Sequence, residues 1–207
     1  MLIPATVALL LQTQAILPLE SGAWWEFREI SREKVGALWS ATETVTRFIM
    51  RGAGQSRHLH QEGGVDPSPG PVEWGAGWIR LGPWTGEEPL PLPLAPGAAG
   101  PGLAPGLEGW RVEDEETLVV PAGEFHALRC ALRTPEQESL LWIAPGVGVI
   151  RETRGAPGEP PDLERSLLRW SGAAAEAGRA RASDSKPSAR SSSARRRRRT
   201  EHGTSTQ

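Results

Sequence analysis

Between Thr117 and Glu152 two Pro/Gly corners cut the chain into short apolar runs. Leu118-Val119-Val120 leads into Pro121-Ala122-Gly123-Glu124, and Phe125 to Arg133 follows as a strand. Ser139 to Ala144 is the next run, and Pro145-Gly146-Val147-Gly148 hands it to Val149-Ile150-Arg151. Proline holds φ near a turn value and offers no amide donor, whereas glycine accepts φ > 0, so such residues sit at corners between strands. Pro145 and Gly146 suit the two central positions of a type II turn, and Gly123 supplies the positive-φ residue of the other corner. Connections this short force antiparallel pairing.

The rest of the chain extends the pattern. Its 207 residues include 24 Gly and 19 Pro, a load no helical bundle tolerates, and its length suits one domain with tails. Ile16 to Gly22 is a lead-in, and Ala23 to Ile30 is a strand with Trp25 and Phe27 on one side and Trp24, Glu26 and Arg28 on the other. Val35 to Thr42 and Thr44 to Met50 read as one long or two consecutive strands, with a helix over Ser31 to Ser40 as the competitor. Arg51 to Pro71 is a polar connection holding a short strand near His58 to Gln61. Val72 to Leu81 is a further strand. Gly82 to Gly109, with its Pro-Leu repeats and Pro-Gly steps, excludes a helix or a central strand and reads as an exposed loop, partly polyproline II. Trp110 to Val120 resumes the sheet, and Leu163 to Trp170 closes the body as a strand or short helix. The expectation is a mainly all-β domain over residues 16–170, a curved antiparallel sheet or half-open barrel of roughly eight to ten strands. Its core is rich in tryptophan, of which there are nine. Each buried indole removes roughly 150–250 Å² from water.

The two ends of the chain differ from this body. Met1 to Leu11 is apolar and uncharged, and Thr13-Gln14-Ala15 follows as a small-x-small cleavage site, so residues 1–15 read as a secretory signal peptide without a basic n-region. The alternative is a buried N-terminal strand or a frayed apolar end. Export to the periplasm, cell envelope or exterior follows from the first reading, a cytoplasmic protein from the second. No other stretch is long and apolar enough for a transmembrane helix. At the other end, residues 171–207 carry nine Arg or Lys against three acids, a charge of +6, which leaves −8 on the rest of a chain whose total is −2. A Ser/Ala/Arg tail with almost no large apolar side chain cannot offset its ordering entropy and is expected to be disordered.

The runs Val119-Val120-Pro121-Ala122-Gly123-Glu124-Phe125 and Leu141-Trp142-Ile143-Ala144-Pro145-Gly146-Val147-Gly148-Val149-Ile150-Arg151 resemble a pattern of uncharacterised bacterial exported proteins, VPAGxF followed by WxAPGVGxVR. The opening Leu17-Pro18-Leu19-Glu20-Ser21-Gly22-Ala23-Trp24-Trp25-Glu26-Phe27 resembles the first strand of the same family. The resemblance spans about residues 16–153. It implies a curved antiparallel domain, similar in outline to envelope lipoprotein-carrier and other half-barrel domains, and it implies no reaction. Phe27 and Ile143 stand where the pattern has Tyr. No functional residues come with the family, and none are carried over.

Few residues point to chemistry. His58 and His60 share a strand face with Glu62, a spacing that can contribute metal ligands, but without a third firm ligand no metal site is assigned. The same three residues are the only basis for a weaker reading as an unrecognised hydrolase. His126 is expected to pack or bond locally. Cys130 alternates with Leu128 and Leu132 and reads as a buried, unreactive thiol. Glu113 to Glu116 read as solvated groups or as protection of a sheet edge. Neither a phosphate loop, a G-x-S-x-G elbow nor an H-E-x-x-H motif occurs, so no catalytic residue and no cofactor is assigned.

Two surfaces are candidates for binding. Trp24, Trp25, Trp74, Trp78, Trp84 and Trp110 read first as core packing and alternatively as an aromatic lining, and Trp25, Phe27, Trp78, Trp110 and Trp142 are the candidate apolar face for a lipid or envelope partner. Arg195, Arg196, Arg197, Arg198 and Arg199 can contact a polyanion or anionic surface, with no sequence-specific nucleic-acid recognition because the tail has no aromatic residue to stack on bases. The leading reading is a non-enzymatic exported envelope protein with structural, hydrophobic-ligand or partner-binding duty. The alternative is polyanion or nucleic-acid binding through the tail.

Overall fold

A computed structural model describes residues 20–53, 56–63, 70–100 and 109–171. The expected signal peptide and the tail beyond residue 171 lie outside the described residues.

Every regular element is a strand. β1 (Trp24–Val35) and β2 (Leu38–Arg51) form a long hairpin, and β3 (His58–Glu62), β4 (Gly70–Gly75), β5 (Trp78–Leu81) and β6 (Leu90–Pro91) continue from it. β7 (Arg111–Val120), β8 (Gly123–Arg133), β9 (Glu138–Ala144), β10 (Gly148–Gly155) and β11 (Leu163–Trp170) complete the set. All pairings are antiparallel, in the order β6-β5-β4-β3-β2-β1-β11-β10-β9-β8-β7. The last strand therefore docks on the first, with Phe27 opposite Leu167 and Glu29 opposite Arg165.

The eleven strands exceed the eight to ten expected for two reasons. The run Val72 to Leu81 is two strands, because Gly77 adopts φ 85° and turns the chain between Gly75 and Trp78. The Pro-rich stretch also supplies β6, whose Pro91 is tolerated because β6 ends the sheet. Residues 31–35 extend β1 and Gly36, at φ 65°, makes the corner to β2, so there is no helix over Ser31 to Ser40 and no strand beginning at Val35. Leu163 to Trp170 is a strand.

Bulges at Glu26/Phe27, Val112/Asp114 and Val149/Arg151 add local twist to the sheet. Its two ends nearly meet. Beyond β6, Gly97 N–H donates to Val112 O at 2.8 Å, Val112 N–H donates to Ala98 O at 2.8 Å, and Gly100 N–H donates to Trp110 O at 2.7 Å. These bonds at the head of β7 bring the sheet close to a closed barrel.

Large apolar side chains fill the interior. Trp25 and Phe27 from β1 and Phe48 and Met50 from β2 are wholly buried, together with Leu59, Ile79 and Leu81. Trp84, in the loop after β5, is also wholly buried, so the stretch expected to be an exposed loop is in part core. Its ring lies 5.1 Å from that of Phe48 and 6.0 Å from those of Trp25 and Phe27, mostly edge to face, the arrangement favoured by aromatic quadrupoles. Leu90 and Leu92 from the same stretch are buried too.

Candidate functional site

Alternation along β1 points Trp25, Phe27 and Glu29 to the interior, so the inward face ends in a carboxylate. The same change from apolar to charged occurs on β11, where Leu167 is followed inward by Arg165, and on β10, where Ile150 is followed by Glu152. Register places Glu29, Arg165 and Glu152 side by side on β1, β11 and β10. Arg165 Nε donates to Glu29 Oε2 at 2.7 Å, and Arg165 Nη1 donates to Glu152 Oε2 at 2.9 Å. Thr46 Oγ1 donates to Glu29 Oε2 at 2.9 Å, and Arg154 Nη2 donates to Glu152 Oε1 at 2.8 Å. The guanidinium of Arg165 also lies 5.3 Å from the centroid of the Phe48 ring.

This charged layer is buried: Glu152 is 1% exposed, Glu29 3% and Arg165 8%. Burial opposes the Arg165 charge, but Glu152 and Glu29 outweigh that opposition and hold its pKa above the ordinary guanidinium value.

A cavity of about 460 Å³ opens beside the layer. Gln61, Arg80, Glu87, Arg154, Leu163 and Arg165 are among its walls. They stand near the end of β3, the end of β5 and the loop after it, the end of β10 and the start of β11, so the cavity lies at one end of the barrel. Gly70 and Gly82 close its rim, since a Cβ on Gly82 would stand 2.6 Å from the Gly70 carbonyl carbon. Arg80 is bound by Glu73 and, at 3.1 Å, by Glu87, whose side chain is 87% exposed. These bonds, Glu73 first, raise the Arg80 pKa against its desolvation. Guanidinium forks match the geometry of an oxyanion, and the carboxylates present are engaged in ion pairs.

A second cavity, of about 300 Å³, lies against β9 and β10, with Leu140, Trp142, Arg151 and Thr153 on its walls. Trp142 donates its Nε1–H to Glu116, and Arg151 stacks 5.2 Å from its ring centroid.

The five residues of the expected apolar face divide. Trp25, Phe27 and Trp110 are packed inside, at 0%, 0% and 1% exposure, and Trp25 Nε1 donates to Val147 O at 2.6 Å. Trp78 is half-buried, its indole lying over Gly75. Trp142 belongs to the opposite face of the sheet from Leu141, which is wholly buried inside. Arg195 to Arg199 lie outside the described residues.

His58 and His60 alternate on β3 with the buried Leu59 and Gln61 and line neither cavity, and Glu62 pairs with Arg51 at 3.6 Å. Among the described residues there is no group of three His, Cys, Asp or Glu that could hold a metal ion. The His126 ring nitrogen Nδ1 lies 3.1 Å from Thr117 Oγ1, a local bond as expected. Cys130 is wholly buried, and desolvation, assisted by Glu113, pushes its thiol up to about 12. The acidic run Glu113 to Glu116 lies on β7, which ends the sheet, so it does line an edge.

The sequence reading passed over Glu29, Arg80, Glu152, Arg154 and Arg165. A signal for three of them was present: Glu29, Glu152 and Arg165 each fall on the apolar side of an alternating run.

No family model matches the chain, and no curated protein matches it. Among solved structures, it is similar to a candidate lipoprotein from Parabacteroides distasonis ATCC 8503, with 11% identity, 75% of this chain and 97% of that one covered, and a TM-score of 0.48. It is also similar to a candidate exported protein with a YmcC-like fold from Bacteroides fragilis NCTC 9343, with 11% identity, 76% and 99% covered, and a TM-score of 0.46.

Proposed function

We propose that this chain is an exported, non-enzymatic β-domain of a bacterial envelope whose duty is to bind a ligand or partner. Export rests on the apolar Met1 to Leu11 segment and the Thr13-Gln14-Ala15 site after it. The binding duty rests on one observation. At the charged end of the barrel the carboxylates of Glu29 and Glu152 are locked in ion pairs with Arg165, so neither is poised as a general acid or base, while the arginines there keep hydrogen-bond donors. A lipid or other apolar partner on Trp25, Phe27, Trp78, Trp110 and Trp142 would need the sheet to open, because four of these five are buried. Binding at the barrel end needs no such opening.

Mass spectrometry of the mature protein from cells tests export, with a first residue just after Ala15 expected; a full-length chain retained in the cytoplasm would remove it. Tryptophan fluorescence during titration with phospholipid vesicles tests the apolar version, which an unchanged spectrum would dismiss.

A second reading is favoured by the five consecutive arginines Arg195 to Arg199. They would hold an anionic polymer or surface by counterion release. Replacing all five by serine in the full chain should abolish heparin retention at low salt. Equal retention of both proteins would end this reading.

A further inference from the structure

We infer that the cavity at the charged end of the barrel is a binding site for a small polar ligand carrying one carboxylate, received by Arg80, Arg154 and Arg165. This names a ligand class for the binding duty proposed above and rests on that reading.

Three guanidiniums share the cavity of about 460 Å³. That space exceeds the roughly 30 Å³ share of one water many times over. Each arginine is held in place by a carboxylate behind or beside it, yet none has used all of its donors. Arg165 spends Nε on Glu29 and Nη1 on Glu152, and its Nη2 has no acceptor among the described residues. Arg154 spends Nη2 on Glu152, and its Nη1 has none among them either. Arg80 spends Nη1 on Glu87 and Nη2 on Glu73, and its buried Nε has no partner among the described residues.

The Arg80–Glu87 pair indicates what the cavity accepts. Glu87 already places a carboxylate on Arg80, but its side chain is 87% exposed, so it holds that position weakly. An incoming carboxylate can take the same donor, with Glu87 returning to solvent. Glu87 is thus an internal competitor for the site.

Charge limits the ligand further. Three arginines face four carboxylates, Glu29, Glu73, Glu87 and Glu152, and three face three once Glu87 returns to solvent. The locality carries no positive excess, which disfavours a phosphate dianion and leaves a single carboxylate recognised by fork geometry. Gln61 on the wall adds an amide for the polar body of the ligand.

The test uses the full chain and isothermal titration calorimetry with N-acetylglycine, its neutral amide N-acetylglycinamide, and inorganic phosphate, all at matched ionic strength. N-acetylglycine should bind and the amide should not. Arg154→Gln should weaken binding about tenfold, the loss of one charge-assisted hydrogen bond. Glu87→Gln should strengthen it by a similar factor, because it removes the competitor. That gain cannot come from a misfolded protein, and Glu87 is too exposed to carry the fold. Equal binding of acid and amide, preference for phosphate, affinity unmoved by either substitution, or no heat with any probe would each overturn the inference. Recovery of N-acetylglycine by NMR separates the two proposals: unchanged ligand agrees with both, whereas its consumption would end the non-enzymatic reading and leave the site standing.

Discussion

Arg165 Nε bonds Glu29 Oε2 at 2.7 Å although 136 residues separate them in sequence. The contact exists because β11, the last strand, pairs with β1, the first, and puts the two residues opposite each other. Glu152 on β10 completes the row from the other side. One guanidinium thus ties three neighbouring strands in the interior.

Removing that cation should be costly. Arg165→Met leaves Glu29 buried without a counter-charge and Glu152 with Arg154 alone, and we expect a loss of about 3–5 kcal/mol. A urea titration would report it as a fall in midpoint at constant slope. Adding Glu29→Leu and Glu152→Leu should restore most of the loss, since a buried ion cluster replaced whole by apolar groups is often no less stable. A single variant as stable as the parent would show that the layer is not held as described.

Trp84 fills the interior from a loop that the sequence pattern reads as exposed. Trp84→Ala should cost about 3–5 kcal/mol, from lost transfer energy and the void it leaves. Trp84→Phe should cost under about 1.5 kcal/mol. It keeps an aromatic ring and removes an indole N–H that has no acceptor among the described residues. Thermal unfolding of the two variants separates these outcomes.

Gly82 is held by two constraints. Its φ is 48°, and an added Cβ would meet Gly70 backbone at 2.6 Å. Gly86, at φ 60°, has open space at the same position. Gly86→Ala should therefore cost about 1 kcal/mol, from conformation alone. Gly82→Ala should cost about 3 kcal/mol, because the rim must also shift. Equal melting points would contradict the close approach.

Cys130 links stability to alkaline pH. Burial, with Glu113 adding to it, raises its thiol from 9.0 to about 12. Above its unfolded pKa the unfolded chain gives up this proton while the folded protein keeps it, so folding stability should fall as pH rises from about 9 and stop falling through this group near 12. Cys130→Ala should flatten that part of the profile. In the native protein at neutral pH the thiol should resist Ellman's reagent and react only on unfolding.

Glu113 works in the opposite range. Its bond to Arg133, outweighing desolvation, together with the Arg133 and Arg129 charges, holds its carboxyl below the ordinary 4.5. Its contribution is complete above that value and is lost as pH falls through the depressed one. Arg133→Ala should cost less than about 1 kcal/mol at neutral pH, and still less in high salt, because the pair is near the surface. Acid titrations of both proteins, followed by circular dichroism, should converge at low pH.

Much of the fold was legible where side-chain period and corner residues agree. The corner at Pro145-Gly146 reads correctly because Gly146 takes φ 74°, a value its sequence position already suggests. The run Val72 to Leu81 misled because only Gly75-Ala76-Gly77 interrupts it between Trp74 and Trp78, with no proline or polar turn residue to mark a corner. The Pro-rich stretch misled differently. Its composition favours an exposed loop, whereas Trp84, Leu90 and Leu92 are drawn inside because the curled sheet leaves a space that nothing else fills. For the site, Glu29 was visible as an acid following Trp25 and Phe27 on the inward side, but its partner was not.

What the sequence by itself determined was local: strands alternating with period two, antiparallel corners at proline and glycine, a buried thiol, an apolar run over Met1 to Leu11 and a run of arginines over Arg195 to Arg199. Those properties depend on backbone sterics and on transfer from water, which neighbouring residues settle among themselves. Only the tertiary structure decided that β11 docks on β1, that Trp84 fills the interior, and that Arg80, Arg154 and Arg165 meet at one cavity. Pairing between strands far apart in the chain is chosen by the summed packing and electrostatics of the whole sheet, and no short stretch carries that sum.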